Sequence, residues 1–281
     1  MGSFQGMSAI VTGAASGIGR ALSIELARRG AKVLLTDVNE VGVREAAAAI
    51  GGDARARVLD VRDAEDFERA VAATVAAHGA IDLLVNNAGI AIGGELHELT
   101  LGHWRRIIDI NIHGVVNGVQ AVYPRMVARR RGHILNVASL AGLGPAPLLV
   151  PYGTTKHAVV GLSTSLRIEA AALGVRVSVA CPSAIETPIL DSDNPADLPA
   201  PSWRPNMRRF LTRLAGPPYP VDKSAVQILD AVARNVGVIV LPARARAAWR
   251  IGRMFPRLVE RLAGNAVAAE RASKPAGLPP G

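Results

Sequence analysis

The sequence predicts an α/β fold in which a doubly wound, parallel, seven-stranded sheet is followed by an added C-terminal helical extension. Short apolar runs rich in Val, Ile and Leu alternate with longer stretches of helical periodicity. These runs are continuous rather than alternating, which is typical of parallel strands covered on both faces by helices. The predicted strands are residues 8–11, 32–36, 57–59, 82–85, 133–137, 175–180 and 236–241.

The first strand runs directly into a glycine-rich turn that opens a helix. Gly13 permits a tight turn, and Gly17 removes a side chain where the backbone must approach a dinucleotide. Gly19 lets the helix pack close to the strand, and the helix is expected to stop before Gly30. The helix N-terminus offers free N–H groups to a pyrophosphate, so this strand–turn–helix order predicts a dinucleotide site of the Rossmann type.

The second strand ends at Asp37, which lies 18 residues after Gly19. A carboxylate here can accept hydrogen bonds from ribose hydroxyls and would repel a 2′-phosphate. No Arg or Lys stands beside it, and Ser16 leaves the glycine turn uncharged. The predicted coenzyme is therefore NAD rather than NADP. The alternative is that Asp37 caps the following helix, which is expected at 41–50.

Tyr152 and Lys156 are four residues apart in a stretch with helical periodicity, which places them on one face of a helix. The pKa of a phenol is about 10, so it must fall by about 3 units for the group to exchange protons near neutrality. A neighbouring ammonium and a positively charged nicotinamide ring both favour the phenolate. Ser139 ends the fifth strand, where an open α/β sheet presents its ligands, and can hydrogen-bond a substrate oxygen.

Two stretches interrupt the alternation of strands and helices. Residues 183–219 contain seven prolines and no strand pattern, which is typical of a lid or binding segment. Beyond the last strand, the sequence is basic and amphipathic. We therefore predict a dehydrogenase-type domain at 1–242, with 183–219 as its substrate lid, and a helical extension at 243–281.

The extension accounts for the net charge of +9: residues 204–281 hold 14 basic and 4 acidic residues, against 18 and 19 in residues 1–203. Its arginines and its apolar residues form separate stripes, and Pro256 is expected to divide it into two helices. One interpretation is that residues 243–272 lie on an anionic membrane. The other is that the apolar face packs on the domain or on another subunit, with the arginines in water. Either would let the extension cover the substrate mouth.

Several motifs together resemble the short-chain dehydrogenase/reductase family, and in particular its NAD-preferring members. The resemblance covers roughly residues 7–190, with every motif in order. It rests on Thr12, Gly13, Gly17, Gly19, Asp60, Asn86, Asn87, Ala88, Gly89, Asn111, Ser139, Tyr152 and Lys156.

The resemblance implies catalytic roles for four residues and coenzyme contacts for a larger set. The catalytic residues would be Asn111, Ser139, Tyr152 and Lys156. The coenzyme contacts would be Gly13, Ser16, Gly17, Ile18, Gly19, Asp37, Asp60, Val61, Asn87, Ala88, Gly89, Tyr152, Lys156, Pro182, Ile185 and Thr187. Asn111 would kink its helix and hold a water that relays protons to Lys156.

Within the coenzyme set, the resemblance implies that Asp60 and Val61 hold the adenine. Residues 87–89 would line the adenosine ribose, while Asn86 would brace the sheet. Pro182, Ile185 and Thr187 would seat the nicotinamide carboxamide. One position departs from the family pattern: Ser183 follows Pro182 where the family usually has glycine, and a modest change of loop shape is expected there.

The predicted activity is an NAD(H)-dependent interconversion of a secondary alcohol and a ketone, with Tyr152 as the acid/base. The loop between Ser139 and Tyr152 is apolar and uncharged, which favours a hydrophobic substrate. Alternatively, its apolar residues pack beneath the lid. These residues are Leu140, Leu143, Leu148, Leu149 and Val150.

Composition and termini predict a cytoplasmic enzyme without metal. The single cysteine, Cys181, allows no internal disulfide, and the first residues lack the pattern of a signal peptide. The six histidines are scattered without metal-ligand spacing. By family analogy, a homodimer or homotetramer is expected through helices around residues 100–130 and 151–172.

Two other functional classes compete with an enzyme. A non-catalytic dinucleotide sensor would use the same fold, but such proteins typically lose the Tyr or Lys that this chain keeps. A nucleic-acid-binding protein could use the C-terminal arginines on phosphates. However, aromatic residues make up only 4% of the chain and no reading motif is visible, so no nucleic-acid partner is predicted.

Overall fold

The computed structural model of the protein describes residues 4–274, so the predicted segment 275–281 of the extension lies outside the described residues. Seven parallel strands form one sheet in the order β3-β2-β1-β4-β5-β6-β7. The strands are β1 (Ser8–Thr12), β2 (Lys32–Asp37), β3 (Arg55–Val58), β4 (Leu83–Asn86), β5 (Gly132–Val137), β6 (Val175–Pro182) and β7 (Val238–Leu241). The predicted doubly wound sheet is confirmed.

Ten α-helices accompany the sheet in the described part of the chain. They are α1 (Gly17–Arg28), α2 (Glu40–Ile50), α3 (Ala64–His78), α4 (Leu101–Ile108), α5 (Gly114–Ala128), α6 (Val150–Ala171), α7 (Met207–Ala215), α8 (Val221–Ala233), α9 (Ala243–Met254) and α10 (Pro256–Arg271). A π-helical turn, Asp109–His113, joins α4 to α5.

The helices form a layer on each side of the sheet. Val11 of β1 belongs to a core that includes residues of α1, α2 and α8. The neighbouring Ile10 belongs to a second core with α3, α5 and α6. Because successive strand side chains point to opposite faces, a fully buried run such as β1 serves both cores.

The sheet topology determines where the site lies. The chain leaves β1 toward β2 on one side, whereas β4, on the other side of β1, begins the second half of the sheet. A crevice opens at such a switch point, outside the carboxyl ends of the strands. Gly13, Asp37, Asn87 and Ser139 all lie at or just beyond these ends.

Some boundaries differ from the sequence-based ones. The third strand begins at Arg55 rather than at residue 57 and is partly exposed, because it is an edge strand that pairs only with β2. The last strand begins at Val238 rather than at residue 236. The segment 183–219 contains a helix, α7, that the proline-rich composition concealed.

The extension forms two helices, α9 and α10, separated at Phe255 and Pro256 as predicted. Ala266 of α10 packs with Phe210 of α7 and with Trp203 in a third, smaller core. The extension is therefore attached to the 183–219 segment, which the sequence predicts to be a lid and which is called the lid below. Among residues 4–274, no helix is both long enough and apolar enough to cross a membrane.

Candidate active site

One cleft of about 1260 Å³ extends from the glycine turn after β1 to the C-terminal extension. Its lining includes Gly13 and Asp37 at one end, Ser139 and Tyr152 in the middle, and Trp249 of α9 at the other end. The structure therefore places most of the predicted coenzyme and catalytic residues around a single cavity, whereas Gly19 and Asn111 do not line it. That cavity also includes the lid and the extension.

The glycine turn after β1 lacks side chains where a ligand could contact its backbone directly. Gly13 and Gly17 have φ of +64° and +53°, which favours glycine. A Cβ on Gly19 would lie 2.2 Å from the carbonyl oxygen of Gly13, so the helix can approach the turn this closely only with glycine there. The Ser16 side chain does not cap α1, and the first turn of α1 holds no acidic residue. An anion such as a pyrophosphate therefore fits this helix terminus.

Thr12 and Asn87 hold the turn in place. The Thr12 hydroxyl accepts hydrogen bonds from the backbone N–H groups of Asn87 and Ala88, each at 3.0 Å. The Asn87 amide donates to the carbonyl oxygens of Thr12 and Gly13, at 3.0 and 3.1 Å. In the sequence, Thr12 is recognised only as part of the family motif, and its role was not predicted because its partner is 75 positions away in sequence.

Asp37 is fixed at the edge of the cleft by backbone donors. Its Oδ2 accepts from the N–H of Ala15 at 3.0 Å, and its Oδ1 accepts from the N–H of Asn39 at 2.9 Å. The residue that caps α2 is Asn39, whose side chain accepts from the N–H of Gly42. The alternative that Asp37 caps this helix is therefore wrong. Its carboxylate lines the cleft, where a coenzyme ribose fits.

Asp60 and Val61 also line the cleft. The Arg62 guanidinium donates to both Asp60 oxygens, with the shortest contact at 2.6 Å, and holds the pKa of that carboxyl below its usual range. Val61 is buried against α5, where a Cβ on Gly114 would lie 2.5 Å from a Val61 methyl group.

Asn111 lies in the π-helical turn between α4 and α5. Its amide group accepts from the N–H of Ile90 at 2.9 Å and donates to the carbonyl oxygen of Ile90 at 3.0 Å. It also donates to the Thr155 hydroxyl at 3.1 Å. Thr155 was missed by sequence reasoning, since a threonine next to Lys156 carries no distinguishing pattern. Gly89 lies beside both groups: a Cβ there would be 3.1 Å from Asn111 Oδ1 and 3.5 Å from Lys156 Nζ.

Ser139, Tyr152 and Lys156 come together where β5 ends and α6 begins. Lys156 Nζ lies 5.6 Å from the centre of the Tyr152 ring and donates to the carbonyl oxygen of Val137 at 3.0 Å. The Ser139 Oγ accepts from the N–H of Ala141 at 3.2 Å. All three of these predicted catalytic side chains line the cleft, and Lys156 is buried.

Burial dominates the proton affinities in this group. It raises the pKa of the Tyr152 phenol, and an interaction with Ser139 opposes that rise only in part. Burial also lowers the pKa of Lys156 to about 8 and raises that of the Cys181 thiol to about 12. The low pKa expected for the phenol is therefore not a property of the protein alone, because desolvation outweighs the hydrogen bond with Ser139.

The segment after β6 returns to the glycine turn. Pro182, Ile185 and Thr187 line the cleft, and a Cβ on Gly17 would lie 3.3 Å from the Thr187 methyl group. Ser183 also lines the cleft, and its hydroxyl is buried with no hydrogen-bond partner among the described residues. Thr187, from the segment after β6, thus contacts Gly17, from the turn after β1, although the two predicted coenzyme contacts are far apart in sequence.

The apolar loop residues divide between the two roles considered for them. Leu140, Leu143 and Leu149 line the cleft. Leu148 instead packs in the small core beneath the lid, and Val150 begins α6. Further apolar lining comes from α7 and from both helices of the extension. Sequence reasoning named the extension as a possible cover but did not identify the lid helix that meets it.

The chain matches known proteins over most of its length. The family model for short chain dehydrogenase matches residues 7–197. A Mycobacterium tuberculosis relative named as an oxidoreductase, SadH, is 34% identical over 95% of this chain and 98% of its own. Another, named as an oxidoreductase and called EphD, is 37% identical over 88% of this chain, but the chain spans only 43% of its length.

A solved structure gives the same result at the level of the fold. A short chain dehydrogenase/reductase from Burkholderia phymatum, in complex with NAD, has a TM-score of 0.82 and 28% sequence identity. The alignment covers 99% of this chain and 100% of that one, so it includes the lid and the extension.

Proposed function

We propose that the chain, which belongs to the short-chain dehydrogenase family, is an NAD-dependent oxidoreductase that interconverts a secondary alcohol and a ketone on an apolar substrate, with Tyr152 as the acid/base. Gly13, Gly17 and Asp37 would hold NAD(H), which would supply hydride acceptance in the oxidation and hydride donation in the reduction. The observation that carries this proposal is the meeting of Ser139, Tyr152 and Lys156 in the cleft that also holds the glycine turn.

Each side chain has one task with the proton or the oxygen. In oxidation, the Tyr152 oxygen takes the proton of the substrate hydroxyl, and in reduction it returns a proton to the carbonyl oxygen. The Lys156 ammonium favours the phenolate by its charge and is oriented by its hydrogen bond to Val137. The Ser139 hydroxyl orients the substrate oxygen. Asn111 is a positioning residue, which ties the Ile90 backbone to Thr155 of α6.

An apolar substrate is supported by the cavity beyond Tyr152. Its lining there is dominated by Leu and other apolar residues from the 140–149 loop, α7, α9 and α10. An apolar surface that contacts a ligand favours hydrocarbon over polar groups, which would lose their hydrogen bonds to water there. We therefore propose a hydrophobic alcohol or ketone.

Tyr152→Phe tests the acid/base role. The phenylalanine keeps the ring and removes only the oxygen, so NAD binding measured by calorimetry is expected to change by less than about threefold while turnover falls by about a hundredfold or more. Thr154→Val, on an exposed position of the same helix, is the matched control. Near-wild-type turnover in Tyr152→Phe would remove Tyr152 from the mechanism.

We further propose that the enzyme is a homodimer or homotetramer that pairs through α4 to α6. Ile168 of α6 is 81% exposed, and Leu101 of α4 is 70% exposed. Large apolar side chains on these helices support a subunit interface there.

A further inference from the structure

The mouth of the substrate cleft is identified by residues that both line it and reach solvent. Besides Val38, which follows Asp37, five large apolar residues meet both conditions, being at least 36% exposed: Ile189, Leu214, Ile251, Leu258 and Leu262. Three of them belong to the extension. The rim of the opening is therefore formed largely by α9 and α10, where these apolar residues lie beside the exposed Arg253 and Glu260.

The exposed apolar surface continues past the rim over the bend of the extension, which is the junction of α9 and α10 at Phe255 and Pro256. Met254 and Phe255 are 73% and 55% exposed and lie between the rim residues Ile251 and Leu258 in sequence. Ile251 and Met254 are three residues apart on α9, Leu258 and Leu262 are four residues apart on α10, and Phe255 lies at the break between the two pairs. We call these five exposed apolar residues the stripe.

Packing of the extension on its own domain uses other residues. Ala245, Ala263 and Ala266 are buried, and Trp249 packs against the core. The exposed stripe is therefore left over after the extension has bound to the lid and the sheet. An exposed apolar surface of this kind marks an interaction site.

The same bend carries arginines whose charge is not neutralised within the protein. Arg250, Arg253, Arg257 and Arg261 are exposed, and none forms an ion pair with a carboxylate in residues 4–274. By contrast, Arg208, Arg209, Arg213 and Arg271 nearby all pair with Asp or Glu. Between residues 246 and 262, the extension holds five arginines and one carboxylate, that of Glu260.

We propose that the bend of the extension docks on an anionic lipid bilayer, so that the mouth of the cleft opens onto the lipid surface. An exposed apolar stripe flanked by unpaired arginines is what an interfacial helix needs, because the stripe enters the hydrocarbon boundary while the arginines meet anionic headgroups. A second copy of the chain would bring arginines against arginines. An acidic protein partner would complement the arginines, but its charge would not account for the exposed apolar residues beside them. That the docked enzyme draws its substrate from the bilayer rests on the proposed function.

Vesicle sedimentation of the full chain tests the docking. Phosphatidylcholine vesicles that contain phosphatidylglycerol are expected to bind it at least tenfold more tightly than pure phosphatidylcholine vesicles. Met254→Gln with Phe255→Gln is expected to weaken this binding at least tenfold, through loss of buried apolar area. Arg250→Gln with Arg257→Gln and Arg261→Gln is expected to weaken it about a hundredfold. The matched control is Val41→Gln with Arg234→Gln, which changes exposed residues far from the bend.

None of the substituted bend residues lines the cleft, so turnover of a water-soluble secondary alcohol without vesicles should stay within about twofold of wild type. If wild type binds vesicles but shows no turnover, the proposed function is wrong and the membrane-docking proposal is supported. Absent vesicle binding by wild type, or equal binding by the bend variants, would overturn the membrane proposal. The proposal would also be overturned if the bend variants changed the oligomeric state, measured by sedimentation velocity, without changing vesicle binding. The stripe would then be a subunit interface.

Discussion

At the scale of single residues, we propose that Asp37 selects which coenzyme the cleft accepts. Its carboxylate is held by the N–H groups of Ala15 and Asn39 and cannot easily turn away from a ligand. A coenzyme 2′-phosphate at this position would face that fixed negative charge. Like charges placed together at a binding site cost several kcal/mol, so the discrimination is electrostatic.

Asp37→Asn is expected to relax this selectivity. The amide keeps an oxygen acceptor but loses the charge, so the ratio of kcat/KM for NAD to that for NADP should fall by about tenfold to a hundredfold. Steady-state kinetics with both coenzymes measure it. The exposed Asp53→Asn is a control that should leave the ratio alone. An unchanged ratio in Asp37→Asn would mean that Asp37 does not select the coenzyme.

Burial of Lys156 lowers the free energy of unfolding by an amount that depends on pH. Its pKa is about 8 in the folded chain, against 10.5 when it is free in water. Between these values the unfolded chain binds more protons than the folded one. The contribution of this group to the free energy of unfolding therefore rises as pH increases from about 8 to about 10.5.

Lys156→Met removes this dependence. The difference in unfolding free energy, wild type minus variant, is expected to increase by about 2 kcal/mol from about pH 8 to about pH 10, since one pKa unit corresponds to 1.36 kcal/mol. Urea denaturation of both proteins at each pH measures the difference. The contributions of other titrating groups to the unfolding free energy are largely the same in both proteins and therefore cancel in this difference. A difference independent of pH would show that the lysine keeps its ordinary pKa despite burial.

At the scale of secondary structure elements, α10 and the lid helix α7 are joined by a buried carboxylate. Glu270 accepts from Arg209 Nη2 at 2.6 Å and from the N–H of Asn206 at 2.9 Å. Burial would raise the pKa of Glu270, but these hydrogen bonds and the charge of Arg209 lower it below the usual value. The carboxylate therefore stays ionised and ties the N-terminus of α7 to the extension.

Glu270→Gln is expected to loosen this attachment. Because the Arg209 side chain is partly exposed, solvent screening limits the loss of stability to about 1–3 kcal/mol. Faster amide hydrogen exchange should appear in residues 207–215, with little change in β1 and β4. Glu260→Gln, an exposed change on the same helix, serves for comparison. Unaltered exchange in α7 would mean that apolar packing alone holds the lid.

At the scale of the whole molecule, the substrate cavity combines segments that are distant in sequence. The loop at 140–149, the lid helix and the extension each contribute apolar side chains to one wall. A substrate with a longer hydrocarbon chain would therefore bury more surface at a distance from the reacting carbon.

A series of 2-alkanols of increasing length checks this. Each added methylene that becomes buried is worth about 0.8 kcal/mol, so kcat/KM is expected to rise about fourfold per carbon until the cavity is filled. Leu211→Gln, which makes the lining polar, should flatten that rise, whereas Leu101→Gln outside the cavity should not. Equal rates for short polar and long apolar alcohols would contradict the apolar substrate.

The elements that sequence reasoning predicted well are those with local signals. The glycine turn, Asp37 and the Tyr152–Lys156 pair each depend on spacing within a few residues of a strand or helix. The helix break at Pro256 is of the same kind, because proline cannot continue a preceding helix. The lid helix α7 was missed because proline-rich flanks dominate the composition of residues 183–219.

The amino-acid sequence by itself determined the order of strands and helices, the coenzyme class and the pairing of Tyr152 with Lys156 on one helix, since these depend on local periodicity and on residue chemistry. Only the tertiary structure decided which apolar residues are buried and which remain exposed. It separated Leu148 beneath the lid from Leu149 in the cleft, and left Met254 and Phe255 in solvent. The reason is physical: burial depends on what packs against a side chain from elsewhere in the chain, and no local pattern encodes that partner.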